Sequence, residues 1–344
     1  MFLNLRLVLF LLVPLLCAPQ ISAQEYPSLT SPGEGKIHLD LVVTAKSGPP
    51  LSGLVEQDFA ILDNKKPQAL KSFQAVDGRQ VPIEVILVID AVNTEYKNVA
   101  MESEGITKFL KIDGGNLAYP TRIAILTEAG IRFQEDLSKD GNAISDILNQ
   151  HSITVRSLNR AAVGGDAEHF QTSLQGLWEL MAQEVARPGR KIIVWISPGW
   201  PVLSEALLDA KQQQQYFQNI VDISTHLRES RITLYSVDPL GTSEVGLHNS
   251  DWKPYLKPVS KVGQMQPGNL AVEVIATHSG GLALGSSNDV AAELQSCVAD
   301  AGSFYEISFD PPVTDRANEY HHLEIRVAKP GLTARTWQGY YSQP

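Results

Sequence analysis

Two apolar runs, VILVI at residues 85–89 and IIVWI at residues 192–196, constrain what this chain can fold into more than any other feature. Each is strand-sized and lacks the polar alternation of a half-solvated strand. Each therefore needs cover on both faces, the condition of a parallel strand inside a helix-flanked sheet. Strand and helix patterns alternate around them. PIEVILVID is followed by an expected helix at roughly residues 94–110, then by TRIAILTEA and IRFQEDL as strands and GNAISDILNQH as a short amphipathic helix. A longer helix is expected at residues 168–186, where Leu174, Leu177, Leu180 and Met181 recur at helical spacing before RPG ends it. KIIVWIS, a long helix from SEALLDAK to HLRES, RITLYSVDP, the helix LAVEVIATHSGG, the short strand LALG and the helix DVAAELQSCVADA complete the series. Six strands interleaved with helices predict an α/β fold, a doubly wound, mainly parallel, Rossmann-type sheet flanked by helices.

The flanks read differently. IHLDLVVTA alternates at Ile37, Leu39, Leu41 and Val43, and FAILDNKKPQALKSFQAV gives two more short strands around a turn at Asp63, Asn64 and Lys65. From Ser303 the chain returns to β texture in SFYEISFDPP, HHLEIRVAK and ARTWQGYYSQ. A β unit spanning residues 37–80 is too small to bury a core of its own, so it is expected to pair with residues 303–344 in a small β domain beside the α/β domain at 81–302.

The first 23 residues carry one positive charge at Arg6, an apolar stretch from Leu7 to about Leu16 and small residues near Ala23, the pattern of a cleaved secretory signal peptide. Residues 24–36 are polar and rich in Gly and Pro, as in a flexible leader. The expected destination is outside the cytoplasm: the periplasm, the cell surface or the medium. No later apolar run approaches the roughly 20 residues of a membrane-spanning helix, so no integral membrane segment is expected after cleavage. Cys17 is preceded by Leu16 where lipid attachment favours a small residue, and its loss with the signal leaves Cys297, in the apolar-periodic AAELQSCVAD, as a buried thiol. Lys and Arg number 28 against 38 Asp and Glu, a net charge of -10, which argues against a nucleic-acid partner.

In open α/β sheets, ligands bind outside the carboxyl ends of the strands, and here those ends are Asp90, Ser197 and Asp238. VILVIDAVNTEY, set before a helix, resembles the opening of a von Willebrand factor type A (vWA) domain. There the strand ends in D-x-S-x-S, whose Asp and hydroxyls hold a divalent cation, usually magnesium, in a metal-ion-dependent adhesion site. The resemblance implies metal-site roles for Asp90 and Thr94, with Thr172 in the place of the threonine before the next helix. Val92 stands where the first serine belongs and Pro198 where the later aspartate belongs, so two of the five implied ligands are missing; Asp166 or Asp238 would have to replace them. The flanks also resemble those of the exported VWFA-related proteins of Acidobacteria, through Leu54, Asp58, Phe59 and Asp63 before the domain and Gly339, Tyr340 and Tyr341 at its end.

Catalytic signals are absent from the pattern. The histidines have no H-x-x-x-H or H-E-x-x-H spacing, and His321 and His322, adjacent on a strand, must face opposite sides. Ser197 lacks the G-x-S-x-G elbow, and Gly164 with Gly165 forms no phosphate-binding fingerprint. Trp195 reads as core and Trp200, beside Pro201, as rim packing. The expectation is a secreted, non-catalytic interaction or adhesion module with a degenerate metal site, no cofactor beyond a weakly held divalent cation, and an unidentified protein partner. The alternatives are an exported hydrolase using the same crevice and a purely structural envelope component.

Overall fold

The computed structural model describes residues 35–46, 48–95, 98–158, 165–201, 208–241, 252–314 and 316–343. The expected signal peptide, and all but the last two residues of the expected leader, lie outside them. In chain order the first strands are β1 (Ile37–Ala45), β2 (Phe59–Asp63), β3 (Lys66–Gln68) and β4 (Ser72–Asp77). Next come β5 (Ile83–Asp90), α1 (Val99–Leu110), β6 (Asn116–Thr127), β7 (Gly130–Phe133), β8 (Ser138–Asp140), α2 (Gly141–Leu158) and α3 (Asp166–Glu184). They are followed by β9 (Arg190–Ile196), α4 (Ala210–Glu229), β10 (Ile232–Val237), α5 (Val272–His278), β11 (Ala283–Leu284) and α6 (Val290–Ala299). The chain finishes with β12 (Ser303–Phe309), β13 (Tyr320–Val327), β14 (Leu332–Arg335) and β15 (Gly339–Tyr341).

The central sheet has the order β11-β10-β9-β5-β6-β7, with β8 also paired to β6. Neighbours from β11 to β6 are parallel, while β7 and β8 are antiparallel to β6. The two apolar runs are β5 and β9, side by side at the centre. Their alternate residues feed two cores, as the period of a strand requires. Val85, Leu87 and Ile89 face α1, α2 and α6, whereas Ile86 and Val88 face α3, α4 and α5. The strand order reverses between β5 and β9, so the topological switch point lies at their carboxyl ends.

Two expectations are corrected here. IRFQEDL is not a further wound strand: Thr127 pairs with Gly130 across a two-residue loop, and Gly130 takes a φ of +100°, so the chain folds straight back into a hairpin. A loop that short cannot make a parallel crossover. The first helix starts at Val99 rather than near Thr94, because the Asp90 carboxylate gathers the next backbone N–H groups into a turn before helical bonding begins. The buried pair of Arg122 on β6 and Glu184 on α3 ties the sheet to its covering helix.

The terminal strands interleave. One antiparallel sheet has the order β14-β1-β12-β4, in which strands from the two ends of the chain alternate, and another the order β15-β13-β2-β3, in which two C-terminal strands adjoin two N-terminal ones. β12 sits between β1 and β4, with Leu39 opposite Ile307 and Phe73 opposite the same residue on the other side. FAILDNKKPQALKSFQAV supplies three strands rather than two, and ARTWQGYYSQ splits into β14 and β15. Phe59, Phe73 and Tyr305 pack between the two sheets with ring centres 5.1–5.8 Å apart. The sandwich interior continues without a break into the core under α3 and α4: Leu41, Ile61 and Tyr305 belong to the same buried cluster as Ile193 and Phe217. Tyr341 adds a bond from its hydroxyl to the Val259 carbonyl (2.7 Å) and an edge contact with Phe217 on α4.

Candidate functional site at the strand ends

Asp90 ends β5 at the switch point with no solvent exposure, and its acceptor positions are filled. Oδ1 accepts from the backbone N–H of Val92 and of Asn93, both at 3.1 Å. Oδ2 accepts from Asn93 Nδ2 and from Trp195 Nε1, both at 2.8 Å. The last bond crosses from β5 to β9, because the side chains at the carboxyl ends of these parallel neighbours project into the same space. Burial pushes the Asp90 carboxyl above its usual range, and the bonds from Trp195, Asn93 and Val92 pull it back. Four donors and no competing donor-acceptor ambiguity suit the ionised form.

The other residues expected at the site are distributed unevenly. Thr94 is buried and donates to the carboxyl of Glu102 on α1. Thr172 is half-buried on α3, and its neighbour Ser173 is the residue joined to the cluster: fully buried, its hydroxyl accepts from Asn93 Nδ2 at 2.8 Å. Asp166 is exposed in the first turn of α3, and Asp238 follows β10 with Oδ1 accepting from the Leu240 N–H. Pro198 lies in a turn in which the Ser197 hydroxyl bonds the Gly199 backbone. Gly199 has a φ of +109°, a backbone conformation that strains any residue with a β-carbon, so this turn favours glycine. Trp200 is not rim packing. It is 3% exposed and lies edge-on to Trp195 (5.2 Å) and Phe170 (6.4 Å). Cys297 is buried as expected, its thiol pushed well upward by burial.

Sequence reasoning missed the acids around this crevice. Burial holds the Glu102 carboxyl at about 8 and those of Glu273 on α5 and Glu293 on α6 at about 7; Asp238 raises all three further. For Glu102 a signal existed, since Val99, Glu102, Ile106 and Phe109 occupy one stripe at spacings of three and four, and an acid within an apolar stripe has to be buried. At neutral pH such groups keep protons that a solvated carboxylate gives up.

Among the described residues, the side chains at the strand ends do not make the oxygen shell of a hard cation. Magnesium requires near-octahedral oxygen donors. Val92 supplies none, and Asp90 has given its lone pairs to four N–H donors. Among the described residues, no group of three or more His, Cys, Asp or Glu side chains is disposed to hold a metal ion. Among the same residues, no helix is long and apolar enough to cross a membrane.

No protein-family profile matches the chain, and no curated protein sequence matches it. Solved structures similar to it include the pilus adhesin SpaC of Lactobacillus rhamnosus GG in its open conformation, at 10% identity and a TM-score of 0.39 over 85% of this chain and 48% of that one. The manganese-loaded TRAP protein of Plasmodium vivax matches at 10% identity and a TM-score of 0.32, over 79% of this chain and 98% of that one. The human COPII-coat protein Sec24c matches at 8% identity and a TM-score of 0.34, over 76% of this chain and 43% of that one. The chain thus spans less than half the length of SpaC and of Sec24c. At these TM-scores the likeness decides neither fold nor function; the mixed α/β architecture rests on the strand pairing itself.

Proposed function

We propose that the chain is an exported, non-catalytic protein-interaction module of vWA type whose strand-end crevice works without a divalent cation. The observation that carries the metal-independent part is the saturation of Asp90, which makes this acid an internal anchor between β5 and β9. The interaction part is supported by the switch-point location, where open α/β sheets present their binding surface, and by the vWA-like segment that leads into it. Catalysis finds little support in the Ser197 hydroxyl, which is engaged with the Gly199 backbone. Export is supported by the composition of residues 1–23, and N-terminal sequencing of the secreted product tests it.

The decisive test is calorimetric titration of the full chain with magnesium, manganese and calcium into the millimolar range, repeated on Asp90→Asn. The expected result is no saturable heat in either protein. Saturable binding that the substitution abolishes would overturn the metal-independent reading and restore Asp90 as a ligand.

A further inference from the structure

A concave feature lies at the amino end of the parallel sheet, where the terminal β layers meet the start of β10 and the last turn of α4. It is a cavity of about 330 Å³, within the roughly 300–1,000 Å³ typical of small-molecule sites. Leu39, Ile232, Ile307 and Trp337 give it apolar walls. Its charged residues divide into two kinds. Arg231 is held by both carboxylates through Nε and Nη2, donating to Asp40 at 2.6 Å and to Glu306. Arg190 behind it donates to the Asp300 carbonyl at 2.9 Å, lies 3.7 Å from Asp40 and stacks on the Phe304 ring. The carboxylates of the terminal layers are thereby taken.

Arg228 is the exception. Its residue is 7% exposed and lines the cavity, yet the nearest carboxylate oxygen, on the adjacent Glu229, stands 3.6 Å away, beyond hydrogen-bond range. A guanidinium carries five N–H donors, and those of Arg228, which are not among the fully buried unpartnered atoms, open onto the cavity rather than into packed protein. The charged residues that line the cavity balance, Lys36, Arg228 and Arg231 against Asp40, Glu229 and Glu306, but Asp40 and Glu306 are both held by Arg231. Burial pushes the Glu229 carboxyl upward, and Arg228 pulls it part of the way back.

We propose that this cavity binds a small organic carboxylate, whose carboxylate is received by Arg228 and whose apolar body rests between Trp337 and Ile232. The planar fork of the guanidinium matches two carboxylate oxygens, and the apolar walls match a hydrocarbon body better than a fully hydrated phosphate. The site is separate from the strand-end crevice and does not depend on how that crevice works.

Sodium benzoate is the probe, titrated calorimetrically into the full chain, with benzamide as its neutral counterpart and inorganic phosphate as the other source of an anion. Benzoate is expected to saturate with a dissociation constant of about 1 mM, in keeping with its few heavy atoms. Benzamide is expected to bind at least about 10-fold more weakly, because it cannot accept a charge-assisted pair of bonds. Arg228→Lys keeps the charge but loses the fork and is expected to weaken benzoate by about 10-fold. Glu229→Gln removes the competing anion and is expected to tighten it by roughly 3-fold, a readout that survives if the Arg228 variant does not fold. Benzoate and benzamide binding equally, no benzoate binding at tens of millimolar, or phosphate binding more tightly than benzoate would each overturn the proposal. So would an affinity unmoved by Glu229→Gln.

Discussion

The two ends of the central sheet bury opposite charges in opposite ways. At the carboxyl end Asp90 is enclosed and every lone pair is met by a donor from its own turn or from Trp195. At the amino end Arg228 is nearly as enclosed, yet its donors face a cavity and a carboxylate too distant to bond. Burial is common to both, so burial does not distinguish a structural charge from a receptive one. Saturation does: a buried ion with all partners in place is part of the scaffold, while one left short retains free energy that a ligand can recover.

The largest effect that tests this contrast is Asp90→Ala. It strands the Trp195 N–H, the Asn93 amide and two backbone N–H groups in a dry site and is expected to lower stability by about 4 kcal/mol in urea unfolding. A loss under about 1 kcal/mol would mean that Asp90 is not the anchor it is taken to be. Next comes the pH response of the acids beside it. Glu102 holds its proton to about 8 in the folded chain against 4.5 ordinarily, so the folded state binds a proton that the unfolded state releases. Stability is therefore expected to fall as pH rises between these two values, by about 1.4 kcal/mol per pH unit for this group, and to level off above them. Glu102→Gln should remove of order 3 kcal/mol of the decline between pH 5 and pH 8. The rest, from Glu273 and Glu293, stays in the same direction. The smallest effect compares two arginines three residues apart. Arg231→Met breaks bonds to Asp40 and Glu306 at a partly exposed site and is expected to cost about 1–2 kcal/mol. Arg228→Met removes a poorly partnered buried charge and is expected to change stability by no more than about 0.5 kcal/mol, or to raise it. Equal losses at the two positions would break the distinction between saturated and receptive charge.

The sequence disclosed the central sheet because its signal is local. An uninterrupted apolar run of strand length has few other uses, and VILVI and IIVWI became adjacent central strands. It disclosed Asp90 for the same reason, as the first acid after such a run. It pointed to Thr172 where Ser173 makes the bond, because one residue is about 100° of helix rotation and no positional match resolves that. Trp195 read as core, and it is, but the use of its N–H to fix a carboxylate 105 residues away depends on strand order. Trp200 read as rim because proline and glycine surround it, whereas Trp195 and Phe170 enclose it. The seam at the amino end left no trace at all: Asp40, Arg231 and Glu306 come from three elements far apart in the chain and form one cluster only after the terminal strands have paired.

The position of β12 between β1 and β4 has a consequence for how this molecule is made. Neither N-terminal strand is hydrogen-bonded to the other; each waits for a partner synthesised more than 220 residues later, Phe73 for Ile307 and Leu39 for the same residue. Pairings of such long range slow folding, since the loop between the strands must close before any bond rewards it. The first strands made are thus among the last to find their places, and a chain halted before β12 leaves the edges of β1 and β4 unpaired. Completion of synthesis is in this way a condition for hiding the chain's beginning, and interrupted copies present themselves as unfinished.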